Sequence, residues 1–325
     1  IRYIGEDKMK KVLITGALGQ IGSELTERLR NDLGVDSVIA TDVREVEGNP
    51  VVTDGHFEIL DVMDREKMMK IAKDNGVDTI IHLASLLSAV AEAKPQFAWN
   101  LNMGGLVNAL ETARELGLQY FSPSSIAAFG PSTPMDNTPQ VTIQRPNTMY
   151  GVTKVSMELL CDYYYTKFGV DTRGVRFPGL ISYKTLPGGG TTDYAVDIYY
   201  EAIKNGHYSS FIAEGTKMDM MYMPDAIDAI VDLMNAPADK LVNRNAFNIT
   251  AMSFEPEEIA ASIKKFMPDF TMDYDVDPVR QGIADSWPNS IDATCAKEEW
   301  GFNPKYDLDA MTKDMLEKLT EKLKG

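Results

Sequence analysis

At 325 residues and 44% hydrophobic content, the chain is long enough for one large domain, or a large and a smaller one, with a full apolar core. A net charge of −16 and a pI of about 4.7 set its surface against phosphate backbones and anionic lipid, so neither nucleic acid nor membrane is an expected partner. No apolar run approaches the roughly 20 residues of a membrane span, no secretory signal is visible, and two distant cysteines (Cys161, Cys295) with three histidines make neither a disulfide framework nor a zinc site; a cytoplasmic, metal-free protein is the expectation.

Met9 opens the run MKKVLITGALGQIG and reads as the native start, with residues 1–8 a tag or natural extension outside the fold. A short apolar strand over 11–15 leads into a glycine turn and an amphipathic helix over 20–31. Strands follow at 37–42 and 56–62, a helix at 65–75, a strand at 77–84, a long helix at 97–116 and a strand at 119–124. A helix at 150–168 and a strand at 172–177 complete this half. Continuous apolar strands separated by helices mean an α/β fold with a doubly wound parallel sheet, covered on both faces. From residue 188 the pattern changes. Helical stretches at 191–205, 224–235, 256–267 and 309–324 outnumber short strands at 209–213, 246–250 and 270–275. This reads as a smaller, partly interleaved C-terminal α/β substrate domain over 183–325, with about 209–250 returning to a cofactor domain at 9–182.

Gly16-Ala17-Leu18-Gly19-Gln20-Ile21-Gly22 sets glycines three apart between the first strand and the first helix. A tight turn and a close backbone approach to a pyrophosphate need residues without a Cβ, and the helix amino terminus then meets the negative charge. In a chain with 24 glycines this is also the spacing of a plain strand-to-helix turn; its position lifts it above that. Asp42, ending the second strand, suits the ribose hydroxyls of NAD and opposes the extra phosphate of NADP, a contrast softened by Arg44. Asp61 and Val62 end the third strand where adenine would lie, or else Asp61 caps the next helix. Leu83 and Ala84 follow His82, which reads as a hydrogen-bonded packing residue.

A tyrosine four residues before a lysine shares its helix face, and an ammonium beside a phenol favours the phenolate. Three such pairs occur: Tyr150/Lys154, Tyr163/Lys167 and Tyr200/Lys204. Position selects the first. Tyr150 opens its helix behind the Pro146 loop, Tyr163 lies about 20 Å further along, and Tyr200 falls outside the cofactor domain. Ser124 and Ser125 end the fifth strand, where a hydroxyl would hold a substrate oxygen. Asn102, polar inside the long helix, is either a water holder on a proton path to Lys154 or a local irregularity beside Gly104 and Gly105.

Gly16/Gly19/Gly22, Asp42, Asn102, the run Ser-Ser-Ile-Ala-Ala-Phe-Gly at 124–130 and Tyr150/Lys154 together resemble the extended short-chain dehydrogenase/reductase superfamily over nearly the whole chain. The resemblance implies a Rossmann-type sheet and an NAD held by Gly16, Gly19, Gln20, Ile21, Gly22, Asp42, Asp61, Val62, Leu83, Ala84, Asn102, Tyr150 and Lys154. It also implies Tyr150 as base, Lys154 as its electrostatic partner, Ser125 as the serine of the group with Ser124 as a second contact, and a homodimer through helices near Tyr150.

Nucleotide-sugar enzymes are the largest branch of that superfamily. Their diphosphate-binding Asn, Arg and His are missing from residues 176–180 and 218–225, where methionines instead suggest a small, apolar-walled pocket. Gly188-Gly189-Gly190-Thr191-Thr192-Asp193-Tyr194 opens a helix. Thr191 is a good N-cap there, and free amides suit a carboxylate, although a flexible turn with an ordinary cap fits equally. Ser88 offers a hydroxyl from the opposite wall. Segments 85–92, 176–195 and 286–302 closely resemble the short-chain type of L-threonine 3-dehydrogenases. That resemblance implies oxidation of L-threonine to 2-amino-3-oxobutanoate, with hydride passing to NAD. It puts Ser88, Ser124, Tyr150, Gly190, Thr191 and Thr192 on the substrate, and Trp287 on a part that closes over it. The competing readings are a nucleotide-sugar epimerase or dehydratase and a non-catalytic NAD sensor; the sensor is disfavoured because Tyr150 and Lys154 are both in place.

Overall fold

The structure is a computed structural model and describes residues 9–186, 188 and 190–324; the expected tag at 1–8 and Gly189 of the glycine turn lie outside the described residues. In chain order, β1 (Val12–Thr15), α1 (Gln20–Leu33), β2 (Val38–Asp42), α2 (Pro50–Thr53), β3 (Phe57–Ile59), α3 (Arg65–Asp74) and β4 (Thr79–His82) open the fold. They are followed by α4 (Ser88–Ala93), α5 (Pro95–Leu116), β5 (Gln119–Phe121), β6 (Ser124–Ser125), α6 (Met149–Phe168), β7 (Thr172–Arg173), β8 (Val175–Phe177) and β9 (Gly179–Ile181). The second half runs α7 (Tyr194–Asn205), β10 (His207–Ser210), β11 (Met218–Tyr222), α8 (Met223–Asn235), β12 (Phe247–Asn248), β13 (Met252–Phe254), α9 (Pro256–Phe266), β14 (Thr271–Tyr274), α10 (Pro278–Ala284), α11 (Thr294–Trp300) and α12 (Leu308–Lys324).

Among the described residues, six strands pair in parallel in the order β3-β2-β1-β4-β5-β7. The doubly wound α/β fold expected from the sequence is the one observed. Alternate residues of β1 serve opposite faces, as the pleat requires. Val12 and Ile14 pack with Leu25, Leu29, Ile227 and Ile230 of α1 and α8, whereas Leu13 packs with Leu106, Leu110 and Met157 of α5 and α6. Strand order reverses between β1 and β4, which opens a crevice beyond their carboxyl ends.

Two expected strands are each broken. Pro123 has no N–H to give a ladder, and Gly174 lies so close to the Ser122 and Asn245 carbonyls that a Cβ would stand 2.6 and 2.7 Å from them. Beyond these points β6 pairs with β8, and β8 with β12. A further apolar core, built by Tyr194, Ile198, Met218, Met220, Phe254, Ile259 and Met315, lies beneath the sheet β13-β11-β9. Fully buried Arg173 ties α8 to the main sheet. One of its amino groups donates to the Leu233, Met234 and Ala236 carbonyls at 2.6, 3.2 and 2.7 Å, which satisfies the end of α8, and Asp171 takes its charge.

Candidate active site

The glycine turn follows β1 into the crevice. Gly16 has φ +71°, and a Cβ there would stand 2.8 Å from the Ala84 amide nitrogen; one on Gly22 would stand 2.2 Å from the Gly16 carbonyl. Glycine is therefore required at both positions. Gly19 is the N-cap of α1 and brings no side chain to it, so the first amides of α1, beginning with Gln20 and Ile21, have no capping oxygen. An uncapped helix end in a Cβ-free cradle fits a pyrophosphate. Asp42 closes the same edge. Its Oδ2 accepts from the Leu18 N–H at 3.1 Å and its Oδ1 from the Val43 N–H at 2.8 Å, which orients the carboxylate beside the turn.

Neighbouring residues take varied positions. Asp61 is exposed and accepts from the Met63 N–H at 2.9 Å; the N-cap of α3 is Asp64, not Asp61. Val62 is buried against Gly105, and its carbonyl accepts from Asn108. Leu83 donates its N–H to the Thr15 carbonyl at 3.1 Å. His82 shares a 2.8 Å hydrogen bond with the Thr15 hydroxyl, and burial pushes it down to about 3, with the Lys154 charge adding to the effect; it is a neutral packing residue. Asn102 accepts from the Leu86 N–H at 2.8 Å and donates to the Leu86 carbonyl at 3.2 Å, so its amide pins the backbone that leads into α4. Beside it lies a cavity of about 20 Å³ bounded by Asn102, His82, Pro123 and Lys154, room for about one water.

Tyr150 stands in the first turn of α6, whose N-cap Thr148 accepts from the Gly151 N–H at 3.1 Å. The Ser125 hydroxyl, which accepts from the Ala127 N–H at 3.1 Å, faces the Tyr150 phenol closely enough to favour its phenolate. Ser124 points the other way: it is buried, and its hydroxyl donates to Glu158. The structure thus brings Ser125, not Ser124, to Tyr150, because adjacent residues of a strand face opposite sides. Lys154 Nζ lies 5.2 Å from the centre of the Tyr150 ring and donates to the Pro123 carbonyl at 2.7 Å. Burial pushes the Tyr150 phenol up to about 12, although the Ser125 hydroxyl opposes this, and pushes Lys154 down to about 8. Desolvation opposes the phenolate here, and the Lys154 ammonium is aimed at a carbonyl. Of the other Tyr/Lys pairs, Tyr163 is exposed and Tyr200 is buried beneath Lys204 and Lys322, away from the crevice.

The profile of the NAD dependent epimerase/dehydratase family matches residues 12–250. The chain belongs to that family. An uncharacterized epimerase/dehydratase of Staphylococcus saprophyticus is 63% identical over 317 residues, 98% of this chain and 99% of its own. The X-ray structure of L-threonine dehydrogenase from Clostridium difficile is 72% identical with a TM-score of 0.96, covering 98% of this chain and 100% of that one. A monomeric L-threonine 3-dehydrogenase from a metagenome is 44% identical with a TM-score of 0.91, covering 95% and 99%.

On the remaining wall, this member of the epimerase/dehydratase family departs from one expectation. Thr191 is not the N-cap. The single turn Thr191–Asp193 precedes α7, Gly190 is the cap residue, and its N–H is taken by the Asp193 carboxylate at 2.5 Å. Asp193 therefore occupies an amide thought free for a ligand. Thr191 is buried, and Thr192 packs against Gly179, where a Cβ would stand 2.7 Å from the Thr192 methyl. Ser88 is buried at the start of α4. Trp287 is buried with Ile126, Ala127, Phe129 and Ile291, and Tyr150 packs against this group. The segment carrying Trp287 is held by residues 135–138, with the Asn289 N–H on the Met135 carbonyl at 2.8 Å and the Thr138 N–H on the Ser290 carbonyl at 2.9 Å. Sequence reasoning missed Glu158, Arg176 and this long-range pairing. A glutamate one turn beyond Lys154 was the only available signal. No three His, Cys, Asp or Glu side chains converge to hold a metal among the described residues, and no helix among them is long and apolar enough to cross a membrane.

Proposed function

We propose that this protein oxidises the hydroxyl of L-threonine to give 2-amino-3-oxobutanoate, using NAD. The observation that carries the reading is the 72% identity, over 98% of the chain, to an L-threonine dehydrogenase. The Ser125–Tyr150–Lys154 group at the mouth of the crevice suits the chemistry. NAD would be held by the turn from Gly16 through Gly19, Gln20 and Ile21 to Gly22, by Asp42, and by the Asp61, Val62, Leu83, Ala84 and Asn102 stretch along the sheet edge. Bound NAD supplies the hydride acceptor for C3. Ser125 holds the substrate hydroxyl, Tyr150 takes its proton, and Lys154 stabilises the phenolate that this requires. Ser88, Thr191 and Thr192 hold the rest of the amino acid, Gly190 leaves room for it, and Trp287 shields it from water. Ser124 serves by supporting its neighbour Ser125.

In this reading residues 9–182, with about 209–250, form the NAD domain, and the rest of 183–325 forms the substrate domain, whose apolar core is shared with Met218, Met220 and Tyr222 of the returning stretch. Exposed apolar side chains on α5 (Phe97, Val107) and α6 (Val152, Leu159, Tyr163) favour a homodimer through these helices. Free Cys161 and Cys295 suit the reducing cytoplasm. The family name also admits a nucleotide-sugar epimerase or dehydratase. The test is absorbance at the NADH band with NAD and L-threonine, beside NADP, L-serine, 3-hydroxybutyrate and UDP-glucose. A rise confined to NAD and threonine supports the proposal. No rise with threonine removes the substrate and returns the search to other hydroxy acids and nucleotide-sugars.

A further inference from the structure

Successive turns of α6 address three adjacent residues, Pro123 and the two of β6. Tyr150 meets the Ser125 hydroxyl, Lys154 Nζ donates to the Pro123 carbonyl at 2.7 Å, and Glu158 accepts from the Ser124 hydroxyl. Residues i, i+4 and i+8 share one helix face, so this is a continuous contact. Glu158 is buried and tightly held. Arg176 donates to both of its oxygens, from Nε at 3.0 Å and from a terminal nitrogen at 2.9 Å, and Gln144 Nε2 donates at 2.7 Å. Arg176 is itself fixed opposite Ser124 in the β6–β8 register. It donates to the Gln140 carbonyl at 2.8 Å and Asn248 Oδ1 at 3.0 Å, and its guanidinium lies 4.9 Å from the Phe129 ring centre. Apolar side chains would join a helix to a strand with less desolvation than a buried ion pair. What the pair adds is a carboxylate held one helical turn from Lys154, with its guanidinium partner on the strand side.

Other charged or titratable groups around Lys154 are neutral or engaged. From β4, His82 is neutral; from α6, Cys161 is a neutral thiol pushed up to about 12 by burial. Tyr120 on β5 is a buried phenol, and Arg173 on β7 is paired with Asp171. Glu92 on α4 accepts from the Met149 N–H, α5 brings the neutral amide of Asn102, and the Arg176 charge is met by Glu158. Glu158 is the foremost group opposing the desolvation of Lys154.

We propose that Glu158, clamped by Arg176, is a positioning residue for the hydroxyl oxidation: it keeps Lys154 protonated in its buried site and holds the Ser124–Ser125 strand against Tyr150. The role in turnover rests on the threonine reading, whereas the effect on Lys154 does not. The experiment follows the Lys154 titration by NMR in protein isotope-labelled at lysine Cε, with the signal assigned by its loss in Lys154→Met. It also measures kcat and KM for threonine across the neutral and alkaline range. In Glu158→Gln the Lys154 midpoint falls by about one pH unit, the alkaline limb of kcat moves down with it, and KM changes less than kcat. The single change leaves Arg176 buried without its partner, so Glu158→Gln/Arg176→Gln carries the same measurements in a neutral pair, with the shift in the same direction. A folded variant whose Lys154 midpoint and kcat limb match the wild type overturns the proposal. A wild type that makes no NADH from threonine sinks the substrate reading instead, and the Lys154 titration still decides the role of Glu158.

Discussion

Burial sets the chemistry of single residues here. Tyr150 is pushed up to about 12, so the base role proposed for it requires a neighbouring positive charge to stabilise its phenolate. Tyr150→Phe removes the proton acceptor and little volume. Its turnover with threonine should drop about a thousand-fold, with melting temperature and NAD binding unchanged; substantial residual NADH formation would take Tyr150 out of the base role. Asp219, fully buried among the methionines of β11, is pushed up to about 7 by desolvation, against hydrogen bonds from the Thr250 hydroxyl and the Ile291 N–H. Between the ordinary 3.8 and about 7 the folded chain holds a proton there that the unfolded chain has lost. This contribution to stability is full below that window and is lost as pH rises through it, at up to about 1.4 kcal/mol per pH unit. Asp219→Asn keeps a partner for each hydrogen bond and removes the titration. Its urea midpoint should gain on the wild type as pH rises through the window, and parallel curves would refute the assignment.

Elements are positioned by a few close backbone approaches. The first turn of α6 sits against the single turn Ile126–Ala128, and a Cβ on Gly151 would stand 2.2 Å from the Ala127 carbonyl and 2.5 Å from Pro146 Cβ. Backbone cannot yield as a flexible side chain can. Gly151→Ala should therefore cost about 1–3 kcal/mol and swing Tyr150 away from Ser125, lowering kcat along with the melting temperature. A variant with wild-type kcat would show that this contact does not position Tyr150. Gly174 plays a similar part in the sheet, where it lets β7 pass into β8 beneath the Ser122 carbonyl.

At the scale of the whole molecule, the return of the chain to the main sheet depends on buried polar anchors. Arg173→Met removes the Arg173 donor from the Leu233, Met234 and Ala236 carbonyls, although Met234 keeps Gln119, Leu233 keeps the Ala236 N–H and Asp171 keeps Arg244. It should lower stability by about 1–3 kcal/mol, read as an earlier denaturant midpoint; a loss below about 0.5 kcal/mol would show that α8 holds without it. The α5/α6 dimer is tested by Leu159→Glu, which should convert a dimer to a monomer in light scattering, whereas a monomeric wild type removes the dimer proposal. Local pattern was enough for the doubly wound sheet and for the tight glycine turn after β1, and it proposed Asp42 and Tyr150 as site residues. Apolar period, turn chemistry and position along a helix are properties of short stretches, and a chain displays them without folding. Tertiary structure alone decided that Ser124 turns to Glu158, that Asp193 takes the Gly190 amide, that β5 and β7 break at Pro123 and Gly174, and that Glu158 and Arg176 form one buried pair beneath Lys154. Each depends on which side of a two- or three-residue strand faces a helix, or on backbone brought together from distant parts of the chain. Such registers are set by packing the assembled layers, and no window of sequence contains them.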